Sequence, residues 1–306
     1  MILVTGASGT VGREVVGRLP VGVGVRVMVR DPGRVVGVGA GVEVVVGDYG
    51  VPGSLGRVLE GVRTVFLVTA RVGGGDDAVF LAAARAAGVG RVVKLSAAAV
   101  LDEGAGDLIT RWQRECEGLL CDSGMEWTLL RPRAFMSNCL SWAGSVCGEG
   151  VVRALYGEAA HACVDPADVA RVAVRVLTEE GHAGRAYTLT GPQALSAVEQ
   201  TRQLGAVLGV ALRFEELGPA RARAALAGRF APEVVEALLD SALRLRAGAK
   251  AGVLDTVGRL TGRPARTFAQ WAAEHAASFG ALADAAGPRP PQAGPRAPGT
   301  GAGTAP

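Results

Sequence analysis

The sequence predicts an α/β protein, with a doubly wound parallel sheet followed by a smaller and mostly helical region. Apolar residues make up 49% of the 306-residue chain, which is enough to bury a sizeable core. Short runs of Val, Leu and Ile alternate with helical patterns, as is typical of strands that helices cover on both faces. A glycine-rich turn joins the first of these strands to the first helix. Together these observations favour a nucleotide-binding type of α/β fold.

The first half of the chain supplies the predicted sheet. The predicted strands are 2–4, 25–29, 42–46, 65–68, 91–95 and 127–130, and the predicted helices are 11–19, 77–87 and 108–121. Because strand, helix and strand repeat in this order, the connections should be right-handed crossovers and the strands parallel.

The second half is predicted to be mainly helical. Asp165 and Pro166 begin one helix, and Ser196 with Glu199 forms a capping box that begins another. The other predicted elements are an edge strand at 162–164, two amphipathic helices within 219–248 that divide near Pro232, and a last helix at 267–279. The segment 281–306 is rich in Ala, Gly and Pro, and we expect it to be disordered.

Charge and cysteine usage argue against several classes of protein. The formal net charge of +3 is small, and the basic residues are spread along the chain, so nucleic acid is not an expected partner. No apolar run approaches the roughly 18–20 residues of a membrane span, and the chain begins directly with a strand rather than a signal peptide. The five cysteines form no C-x-x-C pair and have no histidine cluster nearby, so neither a metal site nor disulfides are expected. These features predict a cytoplasmic protein.

The glycine-rich turn is the strongest functional motif. Residues 5–12 read T-G-A-S-G-T-V-G, which places Gly6, Gly9 and Gly12 between a strand and a helix. Such glycines allow a tight turn, the approach of a pyrophosphate and close packing of helix on strand. The alternative is a glycine-rich turn without a ligand. The expected dinucleotide contacts are Gly6, Ser8, Gly9, Thr10, Val11 and Gly12.

The end of the second strand indicates which dinucleotide is bound. Arg30 comes first after this strand, where an arginine can pair with a 2′-phosphate, whereas an acidic residue there would favour NAD. Asp31 is expected to turn away or to cap the following turn. NADPH is therefore the predicted cofactor, and NADH is less favoured. The alternative is that Arg30 and Asp31 are only a solvated charge pair.

Motifs along roughly residues 1–280 resemble atypical short-chain dehydrogenases/reductases, a group that includes NmrA-like proteins and NAD(P)H-dependent quinone reductases. The matching segments are 5–12, 29–32, 47–48, 86–89, 93–96, 123–132, 165–170 and 189–192. The resemblance implies a Rossmann-type domain with Asp48 beside the adenine ring and Thr69 near the nicotinamide ribose. Tyr49 and Ser96 are further candidate cofactor contacts. The expected domains are an NADP-binding domain at 1–155, whose sheet extends to about 190, a substrate or lid region at 156–280, and the tail at 281–306.

The sequence departs from this family at the proton donor. Conventional members carry a Ser after the fifth strand, a Tyr about 13 residues later and a Lys four residues beyond that Tyr. Counting from Ser96 gives Ile109 and Gln113, which cannot donate a proton to a carbonyl oxygen in that way. The tyrosines of the chain lie elsewhere, at Tyr49, Tyr156 and Tyr187. The usual Tyr-Lys dyad is absent.

Several side chains are candidates for a substrate pocket. Trp112 and Gln113 share one face of the helix that normally presents the dyad, although ordinary packing on the sheet is the alternative. The residues after the sixth strand should line the pocket with an aromatic wall, since ligands bind beyond the carboxyl ends of parallel strands; core packing is the alternative. These residues are Phe135, Met136, Asn138 and Trp142.

Tyr156 and His161 are weak candidates as proton donors, as are Gln113 and Ser96. Lys94 is expected to extend from the sheet end to solvent.

Two functions remain open from the sequence. The first is an NADPH-dependent reductase of a quinone, enone or ketone, with a small substrate expected to be aromatic or polyketide-type and without a metal. The second is a non-catalytic NADP(H) sensor of the NmrA-like type. The 219–248 helices would be a lid in the first case and a partner surface in the second, and an oligomer is possible in either.

Overall fold

The computed structural model describes residues 1–34, 39 and 41–280, so the predicted tail lies outside the described residues. The elements of the first half are β1 (Ile2–Thr5), α1 (Thr10–Val16), β2 (Val25–Val29), β3 (Val42–Val46), α2 (Leu55–Leu59), β4 (Thr64–Leu67), α3 (Asp76–Ala86), β5 (Arg91–Leu95), α4 (Leu108–Cys121) and β6 (Glu126–Pro132). Those of the second half are α5 (Ala143–Glu149), β7 (Val151–Ala154), α6 (Pro166–Thr178), β8 (Arg185–Leu189), α7 (Ala197–Leu208), β9 (Arg213–Glu216), α8 (Pro219–Ala227), α9 (Pro232–Arg246), α10 (Thr256–Thr261) and α11 (Phe268–Glu274).

Seven parallel strands form the main sheet, in the order β3-β2-β1-β4-β5-β6-β8. The chain reverses its direction of winding between β1 and β4, and Ile2 of β1 pairs with both Val25 and Thr64. In open α/β sheets a ligand crevice forms at such a reversal, outside the carboxyl ends of the strands. The predicted doubly wound parallel sheet is confirmed.

Each face of the sheet carries its own hydrophobic core, because successive strand side chains point to opposite faces. Val4 and Phe66 pack with α1 and α6 on one face. Leu3 and Val65 pack with α2, α3 and α4 on the other. The helices therefore hold the sheet rigidly from both sides, as the apolar strand runs predicted.

The region beyond β6 departs from the predictions in two places. The edge strand predicted at 162–164 is wrong, since His161 and Val164 make only isolated bridges, to Leu195 and Phe135. A small parallel sheet of β7 and β9 was not predicted. These short strands carry no long apolar run and are stabilised by a third core cluster around Phe268 and Trp271.

The predicted helix starts in this region are confirmed. The Asp165 carboxylate accepts a hydrogen bond from the backbone N–H of Ala167 at 2.8 Å. Ser196 and Glu199 form the capping box of α7. The basic pair of helices, α8 and α9, divides at Pro232. Among the described helices, none combines the length and apolarity needed to cross a membrane.

Candidate functional site

The β1–α1 loop is built around its three glycines. Gly6 has φ +63°, and the N–H of Gly9 donates to the Gly6 carbonyl at 2.9 Å. A Cβ on Gly12 would lie 2.2 Å from that same carbonyl oxygen. Thus Gly6 supplies the left-handed turn, and Gly12 allows α1 to pack against the loop. The geometry matches the dinucleotide-binding turn that the sequence predicted.

Thr5 ties this loop to the neighbouring strand. Its Oγ1 accepts a hydrogen bond from the backbone N–H of Val68 at 2.7 Å and donates to the Val68 carbonyl at 3.2 Å. A Cβ on Gly6 would approach Val68 Cβ to 2.9 Å. The ends of β1 and β4 are therefore fixed close together at the point where the sheet reverses. Thr5 is a positioning residue that sequence reasoning missed, although it directly precedes the first glycine.

A cleft of about 350 Å³ opens beside the loop. It is lined by Gly6, Ser8, Gly9, Met28, Val29, Arg30, Gly47, Asp48, Tyr49, Val68, Ala70, Arg71 and Asp76. This set includes six of the predicted cofactor contacts. Thr10 is exposed near the loop, whereas the Val11 side chain is buried in the core and offers only its backbone.

Arg30 stands at the cleft with an exposed side chain. The Asp31 carboxylate accepts a hydrogen bond from the N–H of Gly33 at 2.9 Å, so the expectation that Asp31 caps the next turn is confirmed. A cation is thus available at the cleft while the adjacent carboxylate is engaged elsewhere. Together with the close-packed glycines, this donor set fits a dinucleotide that carries a 2′-phosphate.

Asp48 and Tyr49 form another wall of the cleft. The Asp48 carboxylate accepts from the N–H of Gly50 at 2.8 Å, and the Tyr49 hydroxyl donates to the Val68 carbonyl at 2.9 Å. The Tyr49 ring meets Phe80 edge-on, with 5.8 Å between ring centroids. Burial raises the pKa of Tyr49 far above its ordinary value, so this phenol stays neutral. Its role here is packing and orientation.

Thr69 and Lys94 join a buried charge network. The Thr69 hydroxyl donates to the Asp77 carboxylate at 2.7 Å, and Lys94 Nζ donates to the other Asp77 oxygen at 2.5 Å. Lys94 is completely buried and Asp77 is 1% exposed. The expectation that Lys94 reaches solvent is therefore wrong: its charge is paired beneath the sheet end. Thr69 remains a predicted ribose contact, with its hydroxyl hydrogen committed to Asp77.

Ser96 belongs to a second buried network. Its hydroxyl donates to Glu117 Oε1 at 2.5 Å. Arg131 donates to both oxygens of that carboxylate, at 2.9 and 2.6 Å. The Ser96 proton therefore points to a carboxylate rather than to the cleft. Arg131, for which the sequence indicated no chemistry, is held in a bidentate ion pair with Glu117.

The predicted substrate-pocket residues are distributed over several environments. Trp112 is 6% exposed, and among the described residues neither its Nε1 nor Gln113 Oε1 has a hydrogen-bond partner. Met136 and Trp142 pack into the third core cluster, and Phe135 packs on the sheet core. For these three the structure favours the packing alternative. Asn138 is exposed and lines a separate cavity of about 580 Å³ beside α1.

Tyr156 follows β7 in an unusual backbone conformation, with φ +53°. Its N–H donates to the Glu216 carboxylate at 2.5 Å, and the N–H of Gly157 donates to the second oxygen at 2.8 Å. The Arg246 guanidinium carbon lies 5.0 Å from the centroid of the Tyr156 ring. Tyr156 therefore connects β7 with the carboxyl end of α9.

Three nitrogen-bearing side chains beyond β6, those of Arg133, His161 and Lys250, form no ion pair with a carboxylate among the described residues. His161 Nδ1 and Arg133 Nε are buried without a hydrogen-bond partner in the described part of the chain. The pKa of His161 is lowered to about 4, first by burial and then by the charge of Lys250. Burial lowers the pKa of Lys250 as well, and the charge of Arg133 lowers it further. Sequence reasoning missed Arg133 and Lys250; the available signals were the position of Arg133 one residue beyond β6 and the rarity of lysine.

No group of three or more potential metal ligands occurs within residues 1–34, 39 and 41–280. The five cysteines are free thiols.

The chain is similar to known NAD(P)H-dependent proteins. A family model described as NAD(P)H-binding matches residues 6–180. A (4-alkanoyl-5-oxo-2,5-dihydrofuran-3-yl)methyl phosphate reductase of Streptomyces griseus is 58% identical over 91% of this chain and 99% of its own. An NAD(P)H azoreductase of Xenophilus azovorans is 39% identical over 92% of this chain and 100% of its own.

Solved structures agree with the fold. An NADPH-dependent quinone oxidoreductase from Escherichia coli, crystallised with NADPH, superposes with a TM-score of 0.78 at 28% identity, covering 90% of this chain and 99% of that one. An NmrA mutant superposes with a TM-score of 0.72 at 16% identity, over 89% of this chain and 94% of that one, which is a likeness of fold alone.

Proposed function

The chain belongs to the NAD(P)H-binding family, and on that premise we propose that it is an NADPH-dependent reductase of doubly activated enones. The preferred substrate has a carbon–carbon double bond, and one of the two carbons of that bond bears two carbonyl groups. The observation that supports this most directly is a cofactor cleft with an arginine at its rim, in a chain whose α4 lacks the Tyr-Lys dyad. Such a site suits a hydride acceptor that needs no strong acid.

The residues of the cleft have separate roles toward the cofactor. The backbone around Gly6 and Gly9 would hold the pyrophosphate, and Arg30 would pair with the 2′-phosphate. Asp48 and Tyr49 would flank the adenosine half. When bound, NADPH supplies a hydride to the substrate. This assignment makes the chain prefer NADPH over NADH.

The electronic structure of the substrate explains the missing dyad. Hydride adds to the β-carbon of the alkene, and the π electron pair moves onto the α-carbon and its two carbonyl oxygens. An enolate shared by two carbonyls is a weak base, so water can supply the proton that completes the α-carbon. The phenol of Tyr49 and the hydroxyl of Ser96 are both engaged in hydrogen bonds with the protein, and neither needs to donate. Catalysis then depends on proximity and orientation.

The relatives support this class of acceptor. The compound in the name of the Streptomyces griseus reductase has this arrangement, because its ring double bond bears an alkanoyl group and the lactone carbonyl on one carbon. Quinones and azo compounds, which occur in the names of other relatives, are electron-poor acceptors too. We propose that the substrate of this chain is a 4-alkanoyl butenolide with a phosphorylated side chain.

The test is NADPH oxidation with four acceptors: the 4-alkanoyl butenolide methyl phosphate, the same ring without the alkanoyl ketone, a quinone and an aromatic ketone. We expect turnover of the butenolide methyl phosphate. The aromatic ketone should be reduced about 10²–10⁴-fold more slowly, because a general acid usually contributes a rate factor of this size and the site lacks one. In deuterated water, deuterium should enter the α-carbon only. Tight NADPH binding without turnover of any acceptor would instead support a cofactor sensor. A ketone reduced as fast as the butenolide would contradict the proposal.

A further inference from the structure

Arg133 directly follows the sixth strand of the main sheet. It lies one residue beyond β6, at the edge of the sheet where the carboxyl ends of the parallel strands meet, and its N–H donates to the Leu189 carbonyl at 2.9 Å. The backbone is therefore fixed between β6 and β8. Its Nε is buried and has no hydrogen-bond partner within the described residues. A buried guanidinium N–H without an acceptor costs free energy unless a ligand satisfies it.

Lys250 approaches the same region from the segment after α9. Its carbonyl accepts the N–H of Ala162 at 3.0 Å, which fixes Lys250 beside residue 161. Its Nζ meets Ser241 Oγ at 2.5 Å, which uses one of three donors. In the described part of the chain, neither Lys250 nor Arg133 forms an ion pair with a carboxylate. The charge of Arg133 acts on Lys250, so two cations that make no direct carboxylate contact within the described residues lie in the same region.

His161 is the third member of the group. Both its backbone N–H and its carbonyl pair with Leu195 at 3.0 Å, so the residue is held firmly in place. Its Nδ1 is buried and has no partner among the described residues. The low pKa of the imidazole, about 4, follows from burial and from the neighbouring Lys250 charge. An anion placed here would have the opposite effect on that pKa.

The nearest carboxylates are already used. Asp102 is held by the guanidinium of Arg244, with 2.7 Å between Arg244 Nε and Asp102 Oδ2. Asp107 caps α4 and accepts from both the N–H and the hydroxyl of Thr110, at 2.9 and 2.6 Å. The charges of Asp102 and Asp107 therefore offset part of the positive charge of Arg133 and Lys250, but both carboxylates are hydrogen-bonded to other groups.

We propose that Arg133, Lys250 and His161 form a subsite that binds the phosphate monoester group of the substrate. The identity of that substrate rests on the function proposed above, whereas the affinity for a phosphate monoester does not. A planar guanidinium and an ammonium are the groups that proteins use for phosphate oxygens, and a buried setting strengthens both. The subsite is separate from the cofactor cleft, since none of its three residues lines that cleft. It anchors the substrate by its charged end and leaves the ring free to face the cofactor.

The first test is histidine NMR on the protein saturated with NADP⁺, so that the cofactor's own phosphate contacts are occupied. The chain has three histidines, and His182 and His275 serve as internal references. Addition of benzyl phosphate should raise the pKa of His161 from about 4 and leave the other two unchanged. Benzyl alcohol should change none of them. An unchanged His161 at saturating benzyl phosphate would overturn the proposal.

The second test is the affinity of the same NADP⁺-bound protein for benzyl phosphate after Arg133→Gln. We expect a weakening of about 10- to 100-fold, the equivalent of losing a charge-assisted hydrogen bond. Lys250→Met should also weaken binding. The matched control is Arg202→Gln, an exposed arginine on α7, which should stay within about twofold. If Arg133→Gln lowers the melting temperature, the His161 titration of the unmodified protein still decides the question. Equal affinities for the Arg133 and Arg202 variants would overturn the proposal.

The two proposals fail in different ways. A butenolide substrate whose phosphate and free hydroxymethyl forms are reduced with the same kcat/KM, in both the unmodified protein and Arg133→Gln, would confirm the reductase and overturn the subsite. Benzyl phosphate that binds through Arg133 while no butenolide is reduced would confirm the subsite and overturn the proposed function.

Discussion

At the scale of single residues, the cofactor cleft depends most on Arg30. Its exposed guanidinium lies at the cleft, where we propose that it pairs with a 2′-phosphate, and Asp31 turns its carboxylate to Gly33. We expect Arg30→Ala to weaken NADPH binding by about 1–3 kcal/mol, the scale of hydrogen bonds to charged groups, with little change for NADH. Calorimetric titration of both cofactors measures this. Arg63→Ala, at the opposite end of the sheet, is the control and should change neither. An equal loss for both cofactors would refute the 2′-phosphate assignment.

The same scale shows how far the sequence predicts the site. The glycines could be placed because a strand-to-helix turn has a fixed local geometry, and Arg30 and Asp48 because they follow strands whose carboxyl ends meet at the same sheet edge. The partners of Lys94 and Ser96 could not, since Asp77 and Glu117 lie 17 and 21 residues away and meet them only through packing. For the same reason Arg133 and Lys250 went unnoticed. Local motifs predict the backbone cradle, and long-range packing decides which side chains remain free for chemistry.

At the scale of elements, one buried ion pair joins β5 to α3. Lys94 on β5 and Asp77 in the first turn of α3 are almost wholly buried and contact each other at 2.5 Å. Removing one partner leaves a buried charge without its countercharge. We expect Lys94→Met to lower the free energy of unfolding by about 3–5 kcal/mol, measured by urea denaturation.

The double variant Lys94→Met with Asp77→Leu separates the charge from the packing. It should recover much of the lost stability, because no lone charge remains. Arg85→Met, on the exposed face of α3, is the control and should stay within about 0.5 kcal/mol. A double variant as unstable as the single one would show that shape, rather than charge pairing, holds β5 and α3 together.

The elements that the sequence predicted least well are the two strands of the small sheet, β7 and β9. Strands β7 and β9 each span four residues, and their pairing joins positions about 60 residues apart. Their stability comes from Phe268 and Trp271 in the third core cluster, a contribution that no local pattern reveals. By contrast, β5 and α4 occur where they were predicted, because a long apolar or amphipathic pattern defines each of them.

At the scale of the whole molecule, the two predicted domains share one core. Strand β8 pairs with β6 and completes the sheet, although it lies well beyond residue 155. Val164 and Val257 pack in the same cluster as Val4 of β1 and Val11 of α1. Helix α6 lies on the sheet face that α1 covers. The expected division at residue 155 is therefore not a boundary between two separate cores.

A shared core predicts a single cooperative unfolding transition. Because a ligand that binds only the folded state stabilises it by mass action, NADPH at about 100 times its Kd should add about 2.7 kcal/mol. For a chain of this size that corresponds to a rise of roughly 4–5 °C in the melting temperature of the entire protein. Differential scanning calorimetry measures this, with equal calorimetric and van't Hoff enthalpies as the test of cooperativity. At the same NADPH concentration, the melting temperature of Arg30→Ala should rise less than that of the unmodified protein. If there are two transitions and NADPH shifts only one of them, residues 156–280 fold as an independent unit. The cofactor cleft is then not coupled to that region.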